Sequence, residues 1–259
     1  MSIAITTELI KELRDATGIS VMQCKRALEE AEGDMTKALA ILKKTSSDIA
    51  LKKADREAKD GAVAVKSEGN KAVLVALHCE TDFVSRNDDF TSLLNNLANK
   101  ALSEGIEVMK ANSKEMIDQI IQKTGENIQL GDSFMIEGNV LGNYVHNSKM
   151  AVVVSLEGGN ADLAKDIAMH VAAMRPEYIS ASEIDENAKK MMMEIFEKEV
   201  ASSDKPEEIK KKILDGKIAT YFKEKTLMDQ PFIKNPDETI GKLLEKNKAT
   251  IKEVKRYSI

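Results

Sequence analysis

Apolar positions along this chain repeat at the spacing of helices, then of strands, then of helices again. Leu9, Ile10 and Leu13 recur at helical spacing, and Gly18 supplies a stop. Ser20-Val21-Met22-Gln23 has the form of a capping box, in which the Ser hydroxyl and the Gln amide both satisfy backbone donors at a helix start. Cys24, Ala27, Leu28 and Ala31 make the apolar stripe of that helix, and Gly33 ends it. Asp34 caps a third helix carrying Met35, Ala38, Leu39, Ile41 and Leu42. Thr45-Ser46-Ser47-Asp48 breaks the pattern, and a polar, Lys-rich helix follows from Ile49 to about Lys59. The period then changes to two. Gly61 to Lys66, a turn at Ser67-Glu68-Gly69-Asn70, and Ala72 to Leu77 predict a β-hairpin. A loop through Glu80 to Asp89 leads into a helix with Phe90, Leu93, Leu94, Leu97 and Leu102.

The same order returns later. Gly142 to His146, a turn at Asn147-Ser148, and Met150 to Leu156 predict a second hairpin. Gly158-Gly159-Asn160 then opens a helix with Leu163, Ile167, Ala168 and Val171. Two hairpin-then-helix halves around one core make an α+β fold. An insertion interrupts the second half. Ile184, Ala188, Met191, Ile195 and Phe196 stand at heptad-like spacing, Ser202-Ser203-Asp204-Lys205-Pro206 makes a turn, and Pro206 suits a first helical turn. Ile209, Ile213, Leu214, Ile218, Tyr221 and Phe222 form the return helix of an antiparallel, coiled-coil-like hairpin. So thin an element pairs with a second copy or packs on the core. Gln230-Pro231-Phe232 and Asn235-Pro236-Asp237 end it, and a last helix runs from about Glu238 to Asn247.

Composition narrows the function classes. The 259 residues allow one large domain or two to three small ones, at roughly 100–200 residues each. With 38 basic against 43 acidic side chains and a net charge of -5, the chain lacks the basic excess that phosphate binding needs, so no nucleic acid is expected. No apolar run approaches the ~20 residues that span a bilayer. Met1 to Glu8 carries neither a signal-peptide nor a transit pattern, and Cys24 and Cys79 give no disulfide framework, so a cytoplasmic protein is expected. Thirteen Met, no Trp and six Phe make an exposed Phe conspicuous.

No catalytic motif stands out: there is no phosphate loop, no Gly-x-Ser-x-Gly and no His-Glu-x-x-His. The three histidines, His78, His146 and His170, are far apart. His78-Cys79-Glu80-Thr81-Asp82 groups metal-ligand types, but strand alternation points His78 and Cys79 to opposite faces, so no metal and no cofactor is expected. Phe90 shares its helical spacing with Leu93, Leu94 and Leu97 and belongs to the core. Phe83 lies among charges. It either folds back as a staple for the next helix or projects as an interface anchor, a role worth ~2 kcal/mol or more. Met191-Met192-Met193 reads as hairpin packing.

Several of these segments, taken in order, resemble one family. Lys11 to Gly18, Met22 to Leu28 and Glu32-Gly33-Asp34 resemble the opening module of bacterial translation elongation factor Ts. Thr81-Asp82-Phe83-Val84 matches its Thr-Asp-Phe-Val signature, and Ile167 to Ala173 with Pro176, then Lys205-Pro206 through Gln230-Pro231-Phe232, match as well. The resemblance implies a guanine-nucleotide exchange factor, not an enzyme, that binds elongation factor Tu in GDP-bound and nucleotide-free forms. It implies a ubiquitin-associated-like module at 1–54, a two-part core at 55–140 and at 141–183 with 229–259, and a dimerisation hairpin at 184–228. By the same resemblance Thr81, Asp82, Phe83 and Val84 displace Mg²⁺ from the partner, Phe83 acting as a wedge. Arg14, Val21 and Met22 touch the partner's G domain, while His146 and His170 touch its third domain. Two alternatives stand beside it: an enzyme built on His78, Glu80 and Asp82, or a scaffold acting through the helical hairpin.

Overall fold

The computed structural model describes residues 5–201 and 206–259. The chain has an α+β architecture and divides into two compact units, one of Met1–Met135, Val145–Ala151 and Tyr257–Ile259, the other of Ile136–Tyr144 and Val152–Arg256.

The first unit opens with three helices, α1 (Thr7–Thr17), α2 (Val21–Glu30) and α3 (Met35–Lys53). Local chemistry sets their ends. Thr6, Ser20 and Asp34 each accept a backbone N–H at an N-cap, and Gly18 closes α1 in the left-handed region at φ 70°. Leu13, Ile19, Cys24, Ala27, Leu28, Ala31, Ala38 and Leu42 pack together as the core of this bundle. The expected capping box is half-formed. Ser20 accepts from the Gln23 N–H, but the Gln23 side chain turns away and its Oε1 accepts from Gln122 Nε2 at 2.8 Å. Leu39, expected in the stripe, is exposed.

The expected break at Thr45–Asp48 does not occur, and α3 runs through it. Thr45 and Ser46 bond back to the carbonyls of Ile41 and Lys43, so their hydroxyls serve the helix rather than competing with it. Ser47 Oγ donates to the buried Asp118 carboxylate at 2.8 Å. The helix ends at Lys53, short of the expected Lys59.

Strands β1 (Asp60–Glu68) and β2 (Lys71–Cys79) pair antiparallel in register from Asp60↔Cys79 to Glu68↔Lys71. Gly69, at φ 58°, supplies the positive φ of their two-residue turn. The stretch expected as a loop from Glu80 to Asp89 contains a helical turn, α4 (Asp82–Ser85), followed by α5 (Asp88–Glu104) with Asn87 as N-cap. Two further elements lie outside the pattern read from the sequence: α6 (Ile106–Thr124) and β3 (Gln129–Glu137), the latter giving a sheet of order β1-β2-β3. Central β2 buries Val73, Val75, Leu77 and Cys79 against Phe90, Leu93, Leu94 and Leu97 of α5 and Ile117, Ile120 and Ile121 of α6. Gly131 faces His78 so closely that a Cβ would stand 2.8 Å from its ring.

A second sheet has the order β4 (Val140–His146), β5 (Met150–Glu157) and β8 (Thr250–Ser258). Asn147 and Ser148, at φ 49° and 56°, make the tight turn of its hairpin. Helix α7 (Ala161–Met174), capped by Asn160, belongs to the second unit, and Gly142 permits its approach to β4: a Cβ there would stand 2.2 Å from the backbone of Ala164 and Lys165. Helices α8 (Glu186–Ala201) and α9 (Glu207–Lys225) form the expected hairpin. Its turn at Ser202–Lys205 lies outside the described residues, and Pro206 is the N-cap of α9 rather than part of its first turn. Met191 and Met193 are exposed, so the reading of the Met run as hairpin packing fails for both: they stand on outward positions of α8. A ribbon of β6 (Pro231–Phe232) and β7 (Asn235–Thr239) precedes α10 (Ile240–Lys246), a shorter final helix than expected, and β8 is an addition to the expected elements. Among the described residues no helix is long and apolar enough to cross a membrane.

Candidate functional site

The most exposed large apolar side chain among the described residues is Phe83, at 84%. Its exposure follows from the short helix that carries it. On α4, Val84 packs against the core of the first unit and Ser85 is buried, which turns Phe83 outward. The staple reading of Phe83 is therefore excluded, and the anchor geometry is the one present.

Several contacts hold this turn. The Ser85 hydroxyl donates to the Asp82 carbonyl at 3.1 Å and receives a bond from Lys149 Nζ at 3.0 Å. Lys149 also pairs with Asp60 at 2.5 Å and donates to the Gly61 carbonyl. Burial works to raise the Asp60 pKa, but the bonds from Lys149 and the Gly61 N–H outweigh it and hold the carboxyl below its ordinary value. Asp82 pairs with Arg86 at 3.2 Å, one turn on, where solvent leaves such a contact little energetic weight. At the other end, Glu126 accepts three hydrogen bonds, from the Glu80 N–H at 3.1 Å, the Thr81 N–H at 3.0 Å and the Thr81 hydroxyl at 2.6 Å. The Thr81 side chain thus points to Glu126 within its own chain.

A second exposed apolar pair, Val21 and Met22, stands at the start of α2, and Arg14 is exposed on α1. Helix α6 ties these places together inside the first unit. Its Gln122 bonds Gln23, next to Met22, and its Lys123 pairs with Asp89 in the first turn of α5 at 3.0 Å. Glu126, just beyond the same helix end, holds Thr81. Nothing local in the sequence links residues 80–81 to 126, so no periodicity rule finds Glu126; only the tertiary contact shows it.

The remaining expected residues separate. His146 is exposed at the hairpin turn beside Asn147, whose Nδ2 lies 3.3 Å from its Nε2. His170 contradicts the expectation of a partner contact, because its side chain has no exposed surface. Its Nδ1 accepts the Ile233 N–H at 3.3 Å, which leaves Nε2 to carry the proton and donate to Gln230 Oε1 at 2.9 Å. Burial lowers the His170 pKa against the raising effect of the Gln230 bond, and the lowering favours the neutral ring.

The His78-Cys79 pair divides as strand alternation requires. Cys79 enters the core, and His78 Nε2 lies 2.8 Å from the Tyr257 hydroxyl. Burial, aided by Asp60 and Glu126, pushes the Cys79 thiol up to about 12, which removes it as a nucleophile. Among the described residues no three His, Cys, Asp or Glu side chains converge as a metal site. The arrangement holds Phe83, Val21 and Met22 exposed on the surface of the first unit.

Comparison with known proteins agrees in one direction. A family model described as elongation factor Ts matches residues 80–259. The chain is 40% identical to the elongation factor Ts of Hahella chejuensis over 99% of its own length and 92% of that protein's. It is 40% identical to that of Cellvibrio japonicus, covering 99% and 91%. The elongation factor Ts of Arthrospira platensis is likewise 40% identical, over 90% of this chain and 99% of its own.

Proposed function

The chain belongs to the elongation factor Ts family of translation elongation factors, and from that premise we propose that it is the guanine-nucleotide exchange factor for elongation factor Tu. It binds the GDP-bound partner, displaces Mg²⁺, promotes GDP release and leaves a nucleotide-free complex that GTP resolves. This is cytoplasmic work, and it makes or breaks no covalent bond.

The observation that carries this reading is Phe83, almost wholly exposed on a short helix whose neighbours Val84 and Ser85 are anchored. An exposed aromatic ring carried on an anchored turn is the kind of side chain that serves as an interface anchor. A GTPase grips its diphosphate through Mg²⁺ and backbone donors, so moving the ion leaves phosphate charge unneutralised. Phe83 is the wedge, and Asp82 is the charged neighbour that reaches the ion's surroundings. Val84 faces the core and Thr81 faces Glu126, so these two build the turn that carries the wedge. Burying one Phe contributes only ~1.5–3 kcal/mol, too little to expel a tight nucleotide. Arg14, Val21 and Met22 on the partner's G domain, with His146 on its third domain, supply further contact area. His170 supports its own unit from within.

The test is release of a fluorescent GDP analogue from same-species elongation factor Tu. Acceleration by catalytic amounts of the chain is expected, and no acceleration overturns the reading. A second reading attaches to the helical hairpin, where Met191, Ile195 and Ile209 are exposed. We assign self-association to that element, and sedimentation that is independent of concentration overturns it.

A further inference from the structure

A four-residue helix has no stability of its own, because nucleation fixes several residues for a single bond. The Phe83 turn also lacks a local N-cap bond: Thr81 stands extended at its N-cap, and its side chain makes no capping bond. The entry is held from a distance. Glu126, 45 residues beyond Thr81, accepts both backbone N–H groups of residues 80 and 81 and the Thr81 hydroxyl.

Glu126 is itself fixed in place. It follows Gly125, whose φ of 76° closes α6, and its N–H donates to Thr124 Oγ1 at 3.4 Å. The Gly125 carbonyl receives the Lys53 ammonium. The clasp is reciprocal, since the Glu80 carboxylate accepts the Asn127 N–H at 2.6 Å and pairs with Arg56 at 3.4 Å. Asn127, buried, donates its amide to the Arg56 carbonyl at 2.6 Å.

We propose that Glu126 is a positioning residue for exchange, acting through Phe83 by fixing the entry to the helical turn that presents the ring. The inference rests on the exchange reading above and adds to it the residue that sets the wedge's direction. A charged acceptor suits such a role, because three donors converging on one carboxylate are stronger than neutral bonds and define a direction as well as a distance. With Glu126 in place the ring's orientation is settled before the partner arrives, so its ordering is not charged against binding.

The test uses the full-length chain as wild type, Glu126→Ala, Glu126→Gln, Phe83→Ala and the double variant Glu126→Ala/Phe83→Ala. Two quantities are read from nucleotide release: the rate at saturating exchange factor and the concentration giving half that rate. Failure of the wild type to accelerate release defeats the exchange reading and this inference with it. Given an active wild type, Glu126→Ala is expected to lower the saturated rate on the order of tenfold while the half-saturating concentration moves less, because the other contacts survive. Glu126→Gln keeps one acceptor oxygen and is expected to fall between the two, a rescue that general destabilisation does not give. The deciding result is the double variant. If Glu126 acts through Phe83, it loses little beyond Phe83→Ala alone, whereas losses that multiply overturn the proposal. Amide hydrogen exchange in the free chain adds a readout without the partner. Residues 81–85 are expected to exchange faster in Glu126→Ala while α1–α3 stay unchanged, and unaltered protection there overturns the clasp.

Discussion

Neighbouring residues on the same turn carry opposite duties. Phe83 is exposed and Val84 packs into the core, so Phe83→Ala is expected to leave the unfolding temperature of the chain unchanged and to slow partner nucleotide release about tenfold, the factor for ~1.4 kcal/mol. Stopped-flow release with an unchanged rate removes Phe83 from the wedge role. His170 makes a prediction of a different kind, about stability. Its pKa is lowered in the folded chain from an ordinary value of 6.5, so the unfolded state binds the proton more readily. The contribution is therefore present above pH about 6.5 and is lost as pH falls from there through the lowered folded value. Protonation would place a new N–H at Nδ1 against the Ile233 N–H, with no acceptor between them. Urea midpoints measured from pH 8 to pH 5 should fall across that window. The His170→Gln variant, weaker at pH 7, should lose that part of the slope, and parallel profiles for the two proteins contradict the assignment. Residue type alone makes His170 look like His146, the other histidine that the family resemblance offers as a partner contact. Burial separates them, and burial at position 170 depends on Phe232, whose ring lies 6.1 Å away from a distant segment of chain.

Elements whose signals are local are legible in the sequence, and those held by distant partners are not. The caps at Ser20 and Asp34, the stop at Gly18 and the turn at Asn147-Ser148 are decided within four residues, and each stands where the pattern puts it. Strand β8 escapes because Lys252, Glu253, Lys255 and Arg256 break its apolar alternation, and its pairing with β5 lies about a hundred residues away in the chain. The helix-stopping look of Thr45–Asp48 misleads for a related reason. Ser47 finds its partner at Asp118 on α6, a contact that no window over α3 contains. The α8–α9 hairpin follows the same division. Its helices are readable, but its root is not: Glu177 and Tyr178 N–H groups both donate to the Lys225 carbonyl, and Tyr178 packs its ring 6.4 Å from Phe222. Removal of 184–228 would take this root and the buried Leu227 as well. Replacing only residues 188–218 with a short Gly-Ser linker is expected to keep the fold, to abolish concentration-dependent association in sedimentation, and to change nucleotide release less than Phe83→Ala does. Release falling as far as in Phe83→Ala assigns the hairpin a share of the exchange surface instead.

At the scale of the whole molecule, the exposed apolar residues of the first unit and the polar and charged groups that hold them belong to one arrangement. Helix α6 reaches Gln23, Asp89 and, through the residue after its C-cap, Thr81, so the α2 start and the Phe83 turn are borne by one rigid element of the first unit. Such pre-organisation lets binding energy be used on the partner rather than on ordering this chain. Thermodynamics then sets a condition that no choice of contacts avoids. If the chain weakens nucleotide binding to elongation factor Tu by some factor, nucleotide weakens the chain's binding by the same factor. Titration calorimetry of this chain into nucleotide-free partner, and into partner saturated with GDP and Mg²⁺, measures that factor directly. It should equal the ratio of GDP dissociation constants measured with and without the chain. Phe83→Ala should shrink both ratios together, because a wedge acts only through the coupling. A variant that lost affinity equally for the two forms of the partner would have lost a contact common to both, and Val21 and Met22 are the residues expected to behave that way. Equal affinity of the wild-type chain for nucleotide-free and GDP-bound partner would leave no coupling for Phe83 to carry, whatever its exposure.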